Sequence, residues 1–261
     1  MQKRFTRTAE REPQMSDPVL SALPAYGTSM ESLNKASYAN FRNYLRRMVP
    51  ELPYNQLNDD TFNQKLQIVR AGCLTYGGLL FLGDNDVIRD YFPDFRVDFL
   101  EIPGFSYADA KPRIRIPEQE NLWEYYYVLF QRLQTYAEHF FGKGKRAIEG
   151  TEKPHIDALR EGLINMLIHS DYGSPLKSRI RVFVNRIEFE NPGVFPRPVA
   201  ELMKENVSIP RNPVLAKLFR CADLCENVGY GFDKMLLWKK ATNQDVFFEN
   251  AGDTVKVTFM L

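Results

Sequence analysis

The run from His155 to Asp171 constrains this chain more than any other stretch. Ile156, Leu159, Leu163, Met166 and Leu167 recur at i, i+3, i+7, i+10 and i+11, which places them on one buried stripe of a helix. On a second face Glu161, Asn165 and His169 follow one another at four-residue spacing, so successive turns stack a carboxylate, an amide and an imidazole. Asn in a helix interior costs about 0.5 kcal/mol against Ala, and Asn165 sits between Ile164 and Met166, so something must compensate it. A plain reading has Asn165 bonded to a neighbouring loop and Glu161 solvated. A functional reading turns the line of three towards a ligand. The helix alone does not decide between them.

A chain of 261 residues with 44% hydrophobic content can bury a full core, as one large domain or as a domain with an appendage. The formal net charge of +1 gives no global attraction to nucleic acid or acidic lipid. Three cysteines without repeated short spacing fit a reducing compartment, and the expected location is cytoplasmic. Cys221 and Cys225 lie one helical turn apart, but no second Cys or His pair completes a tetrahedral metal set, so they read as buried thiols. No apolar run approaches the roughly 18 residues that span a bilayer, and no apolar signal core follows the N-terminus, so no membrane partner is expected.

In chain order, residues 1–36 are rich in Pro, Ser, Arg and Glu without a sustained period and read as an arm. Two short helices are expected at Tyr38–Val49 and Asp59–Val69, the second capped by Asp59 or Asp60. Arg42, Arg46 and Arg47 form a basic face on the first, either solvated or in contact with nucleic-acid phosphate. Leu74–Phe81 contains paired glycines in an apolar run, a sign of close packing against a neighbour. Strands are expected at Arg96–Ile102 and Arg113–Ile116, and a long helix from Glu118 to Phe141 stopped by Gly142-Lys-Gly144. That glycine pair lacks the spacing of G-x-x-x-x-G-K-[ST], which occurs nowhere in the chain, and this disfavours a P-loop motor. Arg179–Val184 and Ile187–Glu190 form a hairpin around Asn185-Arg186. Three prolines make Phe195–Asn212 an extended connection able to close over a site. A helix from Pro213 to Cys225, a G-x-G turn at Gly229 and Gly231, another helix to Ala241 and a strand at Thr254–Phe259 complete the chain.

Four of these stretches, in this order, resemble one family. They are Leu74-Thr-Tyr-Gly-Gly-Leu-Leu-Phe-Leu-Gly83, Leu159-Arg-Glu-Gly-Leu-Ile-Asn-Met-Leu-Ile-His-Ser-Asp-Tyr172, Asn185-Arg-Ile-Glu-Phe-Glu-Asn-Pro-Gly193, and Arg211-Asn-Pro213 with Glu226-Asn-Val-Gly-Tyr-Gly231. Together they are similar to the RecG-like C-terminal module of Schlafen/AlbA-type transcriptional regulators, over roughly residues 38–261. That module resembles the GHKL (Bergerat-like) ATP-binding fold of gyrase, MutL and histidine kinases. The fold class it implies is α/β (α+β), a two-layer sandwich of helices on a mixed sheet, preceded by a small helical segment for which a winged-helix form is one option. The implied organisation is an arm or remnant of an upstream AlbA-like domain at 1–36, a helical linking segment at 37–83 and the GHKL-like module at 84–261.

Carried over by position, the resemblance makes Glu161 the carboxylate that polarises an attacking water and Asn165 the amide that holds magnesium against the phosphates of ATP. Asn191 and Gly193 match the glycine-containing box near adenine, where the family has Asp in place of Asn191, and Gly229 and Gly231 match the second glycine box at the phosphates. His169, Arg211 and Asn212 complete the expected cofactor-binding set. The implied function is a Mg-ATP-binding regulatory module of a DNA-associated transcriptional regulator, with slow hydrolysis or none. DNA contact is expected in the N-terminal part or outside this chain, with homodimerisation left open. The alternative is a degenerate scaffold that binds DNA or a protein without nucleotide, through Arg42, Arg46 and Arg47. Catalysis on a small substrate has no nucleophile and base pairing in the sequence to support it.

Overall fold

The computed structural model describes residues 20–141, 153–205, 209–225 and 231–261. The N-terminal part contains α1 (Lys35–Met48), α2 (Asp59–Lys65), a short hairpin of β1 (Val69–Arg70) and β2 (Cys73–Leu74), α3 (Tyr76–Leu82) and α4 (Asn85–Tyr91). Side-chain caps fix where these helices begin, because the first backbone N–H groups of a helix lack partners inside it. Asn34 accepts from Ser37 N–H, Asn58 from Thr61 N–H and Thr75 from Gly78 N–H. The cap of α2 is therefore Asn58, one residue before the expected Asp59. Residues 20–36 are laced into this part by isolated bridges from Pro24 to Thr75 and from Leu33 to Gly83, with Ala25 and Leu33 buried. The rest of the expected arm, residues 1–19, lies outside the described residues, as does the Gly142–Gly144 stop.

Arg42 corrects the expected basic face of α1. It is buried, its Nη2 donates to the Leu57 carbonyl at 2.8 Å, its Nε lies 3.4 Å from Asp59 Oδ1, and its guanidinium carbon stands 3.9 Å from the Phe62 ring centroid. A guanidinium held this way supports the fold and cannot reach a phosphate outside it. Arg46 and Arg47, on the following turn, remain exposed.

The remaining elements are β3 (Val97–Glu101), β4 (Ile114–Arg115), α5 (Leu122–Phe141), α6 (Pro154–His169), β5 (Ser178–Val182), β6 (Arg186–Pro192), α7 (Val199–Glu205), α8 (Pro213–Cys221), α9 (Gly231–Thr242), β7 (Val246–Ala251) and β8 (Thr254–Met260). Six strands form one mixed sheet in the order β4-β3-β5-β6-β8-β7, with β3 and β5 parallel and the other pairs antiparallel. Strand alternation separates the two faces. Ile180, Val182, Ile187 and Phe189 are buried, whereas Arg179, Arg181, Glu188 and Glu190 occupy the alternate positions, where Arg181 stands opposite Glu188 with 3.3 Å between Nη1 and Oε2. The result is the expected α+β arrangement of helices on a mixed sheet, with a helical segment in front.

Helix α6 lies at the centre of the helical layer, packed against α5, α8, α9 and β6. Its predicted stripe of Ile156, Leu159, Leu163, Met166 and Leu167 is buried, and so are Ala158, Ile164 and Ile168, so the helix is enclosed on more than one side. Gly162 lets the sheet come close: a Cβ there would lie 3.0 Å from the Phe259 ring. The paired glycines of α3 serve the same end, since a Cβ on Gly77 would meet Val214 Cβ at 2.6 Å. Phe81 of α3 packs on Trp123 of α5 (ring centroids 5.5 Å) and on Phe219 of α8 (5.1 Å), so side chains on both sides of the 83/84 boundary share one core.

Candidate functional site

The C-terminal half of α6, the C-terminal end of β6, the segment after it and the start of α9 surround a cavity of about 380 Å³. That volume lies within the range of small-molecule sites, roughly 300–1,000 Å³. Glu161, Asn165, His169, Asn191, Gly193, Arg211 and Gly231 all line it. These residues come from distant parts of the chain, and the fold gathers them for separable reasons. Four-residue spacing aligns Glu161, Asn165 and His169 along α6. Strand alternation puts Asn191 on the same face as Ile187 and Phe189. Gly193 ends that strand at φ +113, a conformation that side chains rarely adopt, and its N–H donates to the Asp253 carbonyl at 2.9 Å.

Glu161 and Asn165 form one unit. Asn165 Nδ2 donates to Glu161 Oε1 at 2.6 Å and to the Glu161 carbonyl at 2.9 Å. Both acceptors are oxygens, so the amide orientation is dictated and Asn165 Oδ1 is left without a hydrogen bond among the described residues. Glu161 is only 7% exposed. The plain reading of this helix, with a solvated Glu161 and Asn165 tied to a loop, therefore does not hold. Gly231 closes over the pair: a Cβ on it would lie 3.2 Å from both Asn165 Nδ2 and Glu161 Oε1.

At the other end of the line, burial and then the charge of Arg211 push the His169 imidazole down to about 4, so it is neutral near pH 7. Arg211 lies flat against Gly193, where a Cβ would come 2.8 Å from its Nη2, and its Nη1 stands 3.4 Å from Asp171 Oδ2. The expected ligand contact of Asn212 is corrected. This side chain is buried outside the main cavity, and its Nδ2 donates to the carbonyls of Ile168 and Ser170, both at 2.9 Å. It satisfies the carbonyls at the C-terminus of α6 and fastens the start of α8 to them. Gly229 lies outside the described residues.

Several lining residues were absent from the sequence-based set. Arg197, Arg220 and Lys234 join Arg211 around the cavity, while Glu161 is the one carboxylate among its described lining residues. Lys234 stands three residues after Gly231 on α9, a spacing that could have identified it. Phe232 bridges Phe195 and Phe248, with ring centroids 6.1 and 5.0 Å away, and the three rings form an apolar wall of the cavity. Cys225 also lines the cavity; burial and the neighbouring Glu161 push its thiol up to about 12, so it is an un-ionised thiol at neutral pH. The cavity thus offers an apolar slot, cationic groups for an anion and a carboxylate paired with an amide.

Comparisons with known proteins bear on the family and the fold. Residues 7–98 match a domain family of unknown function, DUF8451. No curated protein matches the chain. Among solved structures, the DIP2311 protein from Corynebacterium diphtheriae superposes with a TM-score of 0.70 at 20% identity, over 92% of this chain and 40% of that one. The chain therefore spans less than half the length of that relative, and the likeness is one of fold. Among the described residues, no helix is long and apolar enough to cross a membrane. Residues 177–259, which carry β5, β6, the cavity-lining segment, α8, α9 and the last two strands, match the family described as "Putative ATP-dependent DNA helicase recG C-terminal", so this part of the chain is similar to a RecG-like C-terminal, ATPase-like module.

Proposed function

We propose that the module binds Mg-ATP in the cavity beside α6 and acts as a nucleotide-controlled regulatory unit of a DNA-associated protein. The observation that carries this reading is the convergence of Glu161, Asn165, Asn191, Gly193, Arg211 and Gly231 on one cavity with four cationic side chains around it. The Phe195, Phe232 and Phe248 wall suits a flat base, and Asn191 on the β6 face suits its polar edge. Arg197, Arg211, Arg220 and Lys234 suit a polyphosphate.

Magnesium also fits the residues present. Its preference is for oxygen ligands, with one or two from the protein and the rest from phosphates and water. Asn165 Oδ1 is such an oxygen, held in place because its amide nitrogen is fastened to Glu161. A magnesium ion bound there neutralises phosphate charge. Glu161, buried and hydrogen-bonded, is suited to accept a proton from water, as the one carboxylate among the described lining residues.

The contrasting reading, a scaffold that binds DNA or a protein without nucleotide through the basic face of α1, is weakened because Arg42 belongs to the core and leaves Arg46 and Arg47 alone. The test is thermal unfolding with and without millimolar Mg-ATP, on the parent and on Asn165→Ala. Ligand at a hundredfold its Kd adds about 2.7 kcal/mol, a rise of roughly 5–10 °C for a chain of this size. That rise in the parent, lost in Asn165→Ala, supports the reading; equal behaviour of the two proteins overturns the site.

A further inference from the structure

Resting on the nucleotide reading of this cavity, we infer that Arg211 is its phosphate-reading side chain and trades its ion pair with Asp171 for a phosphate of the bound ligand. The pair is loosely made. At 3.4 Å the Nη1 to Oδ2 separation exceeds the usual 2.7–2.9 Å of a charge-assisted bond, and both side chains are about one-fifth exposed. An ion pair of that kind is a weak competitor for a guanidinium that can grip a phosphate with two parallel N–H groups.

Asp171 also survives the exchange. Its Oδ1 accepts from Gly173 N–H at 3.2 Å, and its own N–H donates to the Pro192 carbonyl at 3.1 Å, so the loss of Arg211 leaves the residue held and its carboxylate still bonded. The neighbouring Asn212 pins the backbone to the end of α6 through two bonds of 2.9 Å, so the exchange requires only side-chain rotation. Gly193 provides the space for it, because any Cβ there would occupy the place of Nη2. His169 stays neutral beside Arg211 and adds no second charge to it.

The experiment is calorimetric titration of the intact chain with Mg-ATP, adenosine and pyrophosphate, on the parent, Arg211→Ala and Asp171→Asn. A lost charge-assisted pair is expected to weaken ATP and pyrophosphate binding to Arg211→Ala by about 10- to 100-fold while adenosine changes less than about twofold. Asp171→Asn, which removes the competitor, binds ATP as tightly as the parent or a few-fold more tightly. If Arg211→Ala fails to fold, Arg211→Lys tests the same point, since it keeps the charge and loses the two-pronged grip. ATP affinity unchanged by the Arg211 substitution, or ATP and adenosine weakened equally, overturns the inference while leaving the nucleotide site standing. Pyrophosphate binding that depends on Arg211 in a chain that binds neither ATP nor adenosine sustains the inference and removes the nucleotide reading. A parent that binds none of the three ends both.

Discussion

Gly231 stands so close to Asn165 that a Cβ on the glycine would approach the amide nitrogen to 3.2 Å, and it would come equally near the carboxylate that holds that amide. The first turn of α9 is thus fitted against the Glu161–Asn165 pair. Gly231→Val is expected to displace one or both side chains and to reduce the Mg-ATP-induced rise in Tm to less than half that of the parent. A scan of the variant with and without nucleotide checks this. An undiminished rise would show that the pair has no part in binding.

Glu161→Gln separates binding from turnover. The substitution keeps an oxygen for Asn165 Nδ2 and removes the basic carboxylate. Mg-ATP is expected to bind within about threefold of the parent, while any phosphate release slows by roughly 10²-fold or more. Single-turnover phosphate measurements are the readout.

Arg42 belongs to the fold. Arg42→Ala removes the 2.8 Å bond to the Leu57 carbonyl and the cover over the Phe62 ring, and is expected to cost about 2–3 kcal/mol. Urea unfolding measures this. Arg46→Ala and Arg47→Ala, on the exposed side, are expected to stay within about 0.5 kcal/mol.

Stability should decline as pH falls from 6.5 towards 4. In the folded chain His169 remains neutral down to about pH 4, whereas in the unfolded chain it takes up a proton near 6.5. Between those values the unfolded state binds more protons, so acidification favours unfolding, by about 3 kcal/mol in all from this residue, with no further loss once both states are protonated. His155, lowered chiefly by its burial, acts in the same direction. Unfolding of the parent and of His169→Gln from pH 7 to 4 checks this; the variant should show the shallower decline.

Much of the fold could be read from the chain because its helices and inner strands are strongly patterned. The stripe of α6, the long α5 and the hairpin around Asn185 each bury a periodic face, and periodicity survives in sequence. Elements with little to bury were missed. Helix α4 has Ile88 as its buried residue, and the edge strand β7 runs Val-Phe-Phe-Glu-Asn-Ala without a clean alternation. Helix α7 forms inside a proline-rich segment expected to be extended, because its seven residues fall after Pro198 and before Pro210. In the site, spacing brought the α6 residues together, and the resemblance to a family added Asn191, Gly193, Arg211 and Gly231. The fates of Arg42 and Asn212 were not legible, since each is decided by backbone carbonyls supplied from elsewhere: Leu57 for the one, Ile168 and Ser170 for the other.

The parallel pairing of β3 with β5 sets an order of events during synthesis. Val97 lies opposite Ser178, and both α5 and α6 fall between them in the chain. A ribosome therefore releases β3 long before its inner neighbour exists, and closing so wide a loop is entropically slow. Until then the buried residues Val97 and Phe99 of β3 lack the strand that will pair beside them, so a nascent chain paused before residue 178 is the form most in need of a chaperone.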